Sequence, residues 1–107
     1  MKIWVDSNPK EYSIVTDKRQ VMIRDFDTPH TNNEAEYLAI INALKVFPEV
    51  EEIISDSQLV VNQLTHKYSI KEERLRKLAS EVWQLAQGKV RFTWCPREDN
   101  LAGKVLG

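Results

Sequence analysis

Hydrophobic and polar positions alternate along residues 2–5, with Ile3 and Val5 on one side and Trp4 on the other. A period of two marks a strand with unlike faces. The turn-forming run Asp6-Ser7-Asn8-Pro9 follows. Residues 11–16 and 20–26 each carry β-branched or aromatic side chains, and Asp17-Lys18-Arg19 separates them as a short polar loop. These segments predict a three-stranded antiparallel meander with tight hairpins.

The period changes near His30. Thr31 followed by Glu34 is a capping-box arrangement that opens a helix. Ala35, Leu38, Ala39, Ile41, Ala43 and Leu44 recur at helical spacing, and Pro48 stops the run. Val50, Ile53 and Ile54 form a short apolar stretch typical of a buried strand, ended by Ser55-Asp56-Ser57. A short helix is expected directly afterwards, around Leu59, Val60 and Leu64. Leu75, Leu78, Val82, Leu85 and Ala86 follow a period near 3.6 residues, with Gly88 as the stop. Residues 90–94 read as a last strand before Pro96, and residues 97–107 are long enough for a turn or two of helix. The expectation is an α/β fold: a five-stranded mixed sheet, antiparallel meander then parallel strands, flanked by helices.

Composition narrows the class. A chain of 107 residues is the usual size of one domain, so residues 1–107 are expected to form one. With 42% hydrophobic and 29% charged residues it is not a disordered polymer. No apolar run approaches the ~20 residues of a membrane span, and Asp6 comes too early for a secretory signal. One cysteine, Cys95, excludes an internal disulfide and a cysteine-based zinc cluster. A cytoplasmic protein without a membrane partner is expected. The net charge of -1 excludes a uniformly basic nucleic-acid coat but not a local basic face. Residues 65–91 supply one, with seven basic residues against three acids. Lys67, Lys71 and Arg74 are read as sharing one helix side and as the candidates to track phosphates. Trp83 and Trp94 are assigned to the core, His30 and His66 to the surface, and Cys95 to an inert thiol.

Three acids carry the candidate chemistry. Asp6 ends the first strand and Asp56 ends the strand after the first helix, and ligands gather at the carboxyl ends of such strands. Glu36 shares a helical ridge with Ile40, Ala43 and Phe47, so its carboxylate points toward packed structure and needs a partner there. Taken singly, each acid also suits a turn, a cap or a helix start. An all-oxygen cluster suits Mg²⁺ or Mn²⁺ and not zinc.

The stretch Thr31-Asn32-Asn33-Glu34-Ala35-Glu36-Tyr37 resembles the motif that opens the first helix of type 1 ribonucleases H. The run from Ser55-Asp56-Ser57-Gln58 to Asn62-Gln63-Leu64 resembles that family's second motif, and Phe92-Thr93-Trp94-Cys95-Pro96-Arg97-Glu98-Asp99-Asn100 its last strand and loop. The resemblance implies a ribonuclease H-like fold and Mg²⁺-dependent hydrolysis of the RNA strand of RNA/DNA hybrids, with Mn²⁺ as a possible substitute. It also implies that Asp6, Glu36 and Asp56 are the catalytic, metal-binding acids. Asn32 and Asn33 match residues that contact the hybrid, and Gln58 lies near the same edge. The family's fourth acid follows an asparagine by four positions, and here that register places Lys104 after Asn100. The competing function is a hybrid-binding module that cleaves poorly or not at all.

Overall fold

The computed structural model describes residues 1–106. Three strands form the meander: β1 (Lys2–Ser7), β2 (Glu11–Thr16) and β3 (Val21–Asp25). Helix α1 (Asn32–Val46) crosses to β4 (Glu52–Ser55), and α2 (Gln58–Leu64) with α3 (Glu73–Ala86) leads to β5 (Arg91–Trp94). A single 3-10 turn (Arg97–Asp99) precedes α4 (Leu101–Leu106). The sheet order is β3-β2-β1-β4-β5, with β1 antiparallel to β2 and parallel to β4, and β4 parallel to β5. This is the five-stranded mixed sheet expected from the pattern.

Local chemistry explains the boundaries. Thr31 accepts from the Glu34 amide at 3.2 Å while the Glu34 carboxylate accepts from the Thr31 amide at 3.1 Å, so two unpaired helix-start donors are satisfied. Ser57 caps α2 by accepting from the Val60 amide at 3.2 Å. At the end of α3, Gln87 and Gly88 both take left-handed backbone, with φ of 51° and 69°.

The core lies between the sheet and α1 and α3. Ile3, Val5, Ile14 and Ile53 face Ala39, Ile40, Ala43 and Leu44 of α1, and Leu75, Ala79 and Val82 of α3 close the layer. The face of α3 matches expectation at Leu75, Leu78, Val82 and Ala86 and departs from it at one position. Leu85 is 37% exposed and the small residue Ala79 is buried instead. Trp94 is also a correction: it is 42% exposed, because β5 is an edge strand and its last residue has a neighbour on one side only. Trp83 is partly buried against the core, as expected, and its indole N–H donates to the Leu64 carbonyl at 3.1 Å.

Candidate active site

Parallel pairing of β1 with β4 brings two of the three acids together. Ile3 pairs with Ile53 and Trp4 with Ile54, and the same register carried two residues further sets Asp6 beside Asp56. Glu36 lies one turn into α1, which packs on these strands, and is 5% exposed. Asp6, Glu36 and Asp56 line one cavity of about 310 Å³ with Ser7, Asn8, Asn32, Asn33, Ser57 and Arg97.

Each carboxylate is held differently. Both Glu36 oxygens accept from hydroxyls, Oε1 from Ser55 at 2.6 Å and Oε2 from Ser7 at 2.8 Å. Burial nevertheless pushes Glu36 up to about 7, because the hydroxyls only partly offset desolvation and the charges of Asp6 and Asp56 add to it. Burial also raises Asp6, helped by Asp56 and opposed by the Ser7 amide and the Arg97 guanidinium. Asp56 is fixed from two sides. Its Oδ2 accepts from Asn100 Nδ2 at 3.2 Å, and its carbonyl accepts from the Trp94 indole N–H at 3.1 Å.

The donor set is hard oxygen throughout, which suits Mg²⁺ or Mn²⁺. Among the described residues, no three His, Cys, Asp or Glu side chains stand ready-made around one ion position. The reason is visible at Glu36, whose oxygens are turned toward Ser7 and Ser55. The carboxylates therefore share a cavity and repel one another, the electrostatic condition that a divalent cation relieves.

The remaining candidates divide. Asn32 and Asn33 sit at the cavity on the first turn of α1. Gln58 is the exposed first residue of α2, outside the cavity lining. Lys67, Lys71 and Arg74 do not share a helix side. Lys67 lies in the turn after α2, where its amide donates to the Asn62 carbonyl at 2.8 Å, and Lys71 lies in the irregular segment before α3. Only Arg74 is helical, and it pairs with Glu34 at 3.2 Å. Just after α2, His66 takes a left-handed φ of 65°, and the chain turns there, which places the three basic residues on different segments.

Two residues at the site lie in the run that resembles the family's last strand and loop but were given no role there. Arg97 lines the acidic cavity beside Asp6. Asn100 is fully buried, donates to the Val5 carbonyl at 2.9 Å as well as to Asp56, and accepts from the Ala102 amide at 3.1 Å. It ties the C-terminal helix to both acid-bearing strands. The signal for each was its place in the loop after the last strand, a segment too short to read from periodicity. Cys95 is partly buried and its thiol is raised by burial and the surrounding acids, which fits an inert group.

The sequence matches the family described as reverse transcriptase-like over residues 15–106. The chain belongs to that family. Glu36 and Asp56 fall within the matched span, and Asp6 precedes it. Members and neighbours frame the fold. The chain is 33% identical over 76 residues to the bifunctional protein Rv2228c of Mycobacterium tuberculosis, covering 65% of the chain and 21% of that protein. It therefore spans about a fifth of the length of the curated relatives it matches. The N-terminal RNase H domain of Rv2228c, solved as a fusion with maltose binding protein, superposes with a TM-score of 0.78 at 25% identity over 98% of this chain and 93% of that one. RNase H1 from the archaeon Halobacterium salinarum gives 0.76 at 25% identity, over 98% and 90%. LC11-RNase H1, solved in complex with an RNA/DNA hybrid, shares the fold with 0.76 at 22% identity over 99% of both chains. The fold of this reverse transcriptase-like chain is that of the type 1 ribonucleases H. Among the described residues no helix is long and apolar enough to cross a membrane.

Proposed function

We propose that residues 1–107 act as one ribonuclease H-like domain that hydrolyses the RNA strand of RNA/DNA hybrids with bound Mg²⁺, or Mn²⁺ in its place. The observation that carries this reading is the meeting of Asp6, Glu36 and Asp56, from three separate elements, in one cavity with Asn32 and Asn33 at its side. Asp6, Glu36 and Asp56 are the residues that would hold the metal. Two ions would activate water and stabilise the leaving 3′-oxygen of the phosphodiester. The two asparagines carry amide groups suited to 2′-hydroxyls in the minor groove of the hybrid, the feature that separates RNA from DNA. Gln58, at the start of α2, is assigned to the same edge. Lys67, Lys71 and Arg74 are assigned to phosphates farther along the duplex.

The chain's own residues prepare the site. Ser55 and Ser7 orient Glu36, and Asn100 and Trp94 hold the Asp56 segment in place. The relatives named as RNase H proteins support the substrate class.

The test is Asp56→Asn, which keeps the side-chain volume and removes a ligand charge. Hydrolysis of a labelled hybrid in Mg²⁺ is expected to fall by at least 100-fold, on the order of the loss of one key electrostatic group, while the circular dichroism spectrum is retained. Cleavage at the wild-type rate would overturn the role given to Asp56. A hybrid-binding module is the second reading, favoured by Lys104 at the register of the family's fourth acid. It expects tight hybrid binding and no metal-stimulated cleavage by the wild-type protein.

A further inference from the structure

A second cavity, about 520 Å³, adjoins the acidic one. Asp6, Ser7, Asn8 and Arg97 line both, so they form one continuous groove. The far part is lined by Glu98, Gly103, Lys104 and Leu106. The groove therefore runs from Glu36 and Asp56 past Asp6 and Arg97 to a far part that carries both Lys104 and Glu98.

The position of Lys104 is built. Asn100 anchors the start of α4 to Val5 and Asp56, and the Ser13 hydroxyl donates to the Ala102 carbonyl at 2.8 Å. Gly103 packs so closely that a Cβ there would lie 3.3 Å from Asp6 Oδ2. The residue next to Lys104 thus touches a candidate metal ligand, which fixes the lysine backbone at the edge of the acidic site. Among the described residues, neither Lys104 nor Arg97 is in an ion pair, so both side chains are available to a ligand in the groove. What sets these two cations apart is their place, since both line a groove that starts at the three acids, where a bound phosphate would meet positive charge.

We propose that Lys104 and Arg97 form a phosphate seat for the substrate's backbone, holding the phosphodiester next to the one that Asp6, Glu36 and Asp56 act on. This rests on the nuclease reading for which phosphate lies at the acids, and it names the chain's own contacts to that strand. Lys104 contributes a point charge on a flexible stem, and Arg97 a planar fork that can pair two phosphate oxygens. The consequence is a substrate contact made without metal. Adjacent phosphates along a strand are several ångströms apart, a span that one groove with a cation at each step can follow.

The seat is tested by fluorescence anisotropy of a labelled RNA/DNA hybrid in EDTA, over a range of KCl. Lys104→Ala and Arg97→Ala are each expected to weaken binding several-fold and to lower the slope of log Kd against log salt by about one, and the double variant by about two. Lys104→Arg is expected to restore the slope. A wild-type slope in Lys104→Ala, with an unchanged melting curve, would overturn the seat. Asp56→Asn run alongside keeps the two readings apart. Retained cleavage in that variant refutes the metal-site assignment, and a lowered salt slope in Lys104→Ala still supports the seat.

Discussion

Glu36 makes the metal-free protein sensitive to pH, and the structure gives the size of the effect. Its carboxyl has an ordinary value of 4.5 and stands at about 7 in the fold, mainly because it is buried. At about 1.4 kcal/mol per pH unit, that difference amounts to about 3 kcal/mol. The folded chain holds the proton more tightly than the unfolded chain. The stabilising contribution is therefore complete below pH ~4.5 and is lost as pH rises through ~7. Asp6, also raised by burial and by Asp56, acts in the same sense from its lower ordinary value of 3.8. Glu34 and Glu52 are lowered by their hydrogen bonds and by Arg74 and Arg91. Their contribution is present above the unfolded value of 4.5 and is lost only below it. The window from pH 5 to 7 thus separates Glu36 from the lowered acids.

The perturbation is Glu36→Gln, read by thermal melts in EDTA between pH 4.5 and 8. Glutamine can accept from one serine hydroxyl and donate to the other, so the local contacts with Ser7 and Ser55 survive. Wild type is expected to lose on the order of 10 °C of melting temperature across the window relative to the variant. The difference between the two should be smallest near pH 4.5 and widest above pH 7. A difference that stays constant with pH would refute the assignment of this titration to Glu36.

Excess Mn²⁺ at pH 8 is expected to stabilise the wild type by about 2.7 kcal/mol at 100 times Kd, raising its melting temperature, and to do so far less in Asp56→Asn; calorimetric scans with and without the ion check this. Asn100→Ala should cost about 2–4 kcal/mol in a urea titration, because it orphans the buried Val5 carbonyl and frees α4. Lys67→Ala and Lys71→Ala are each expected to lower the salt slope of hybrid binding by about one. Arg74→Ala should change it less, since that guanidinium already pairs with Glu34, and equal effects at all three would show that the pair opens for substrate.

What was legible in the sequence was whatever local pattern or pairing register dictates. The capping box at Thr31 and Glu34 and the stop at Pro48 bracketed α1, and the apolar ridge through Ile40, Ala43 and Phe47 already put Glu36 inside. Asp6 and Asp56 were findable because each ends a strand, and parallel strands bring their ends together. The basic run failed on the same logic. Charge counting over residues 65–91 carries no information about where the chain turns. The turn after α2 depends on His66 adopting left-handed backbone and stacking on Trp83 at 4.7 Å, a tertiary contact.

The C-terminal segment shows the limit most clearly. By composition Asn100 belongs on a surface, yet it is fully buried, because a carbonyl on β1 and a carboxylate after β4 both need a donor at that point. The tie draws α4 across the end of the sheet, and the lack of a side chain at Gly103 lets it close on Asp6. A helix of six residues has too few turns to be stable alone, so its existence depends on these contacts and not on its own propensity. The same contacts set Arg97 and Lys104 on the groove wall. No window of sequence around residue 104 shows that its neighbour touches residue 6, and so the charge at that position acquires meaning only when the sheet is assembled.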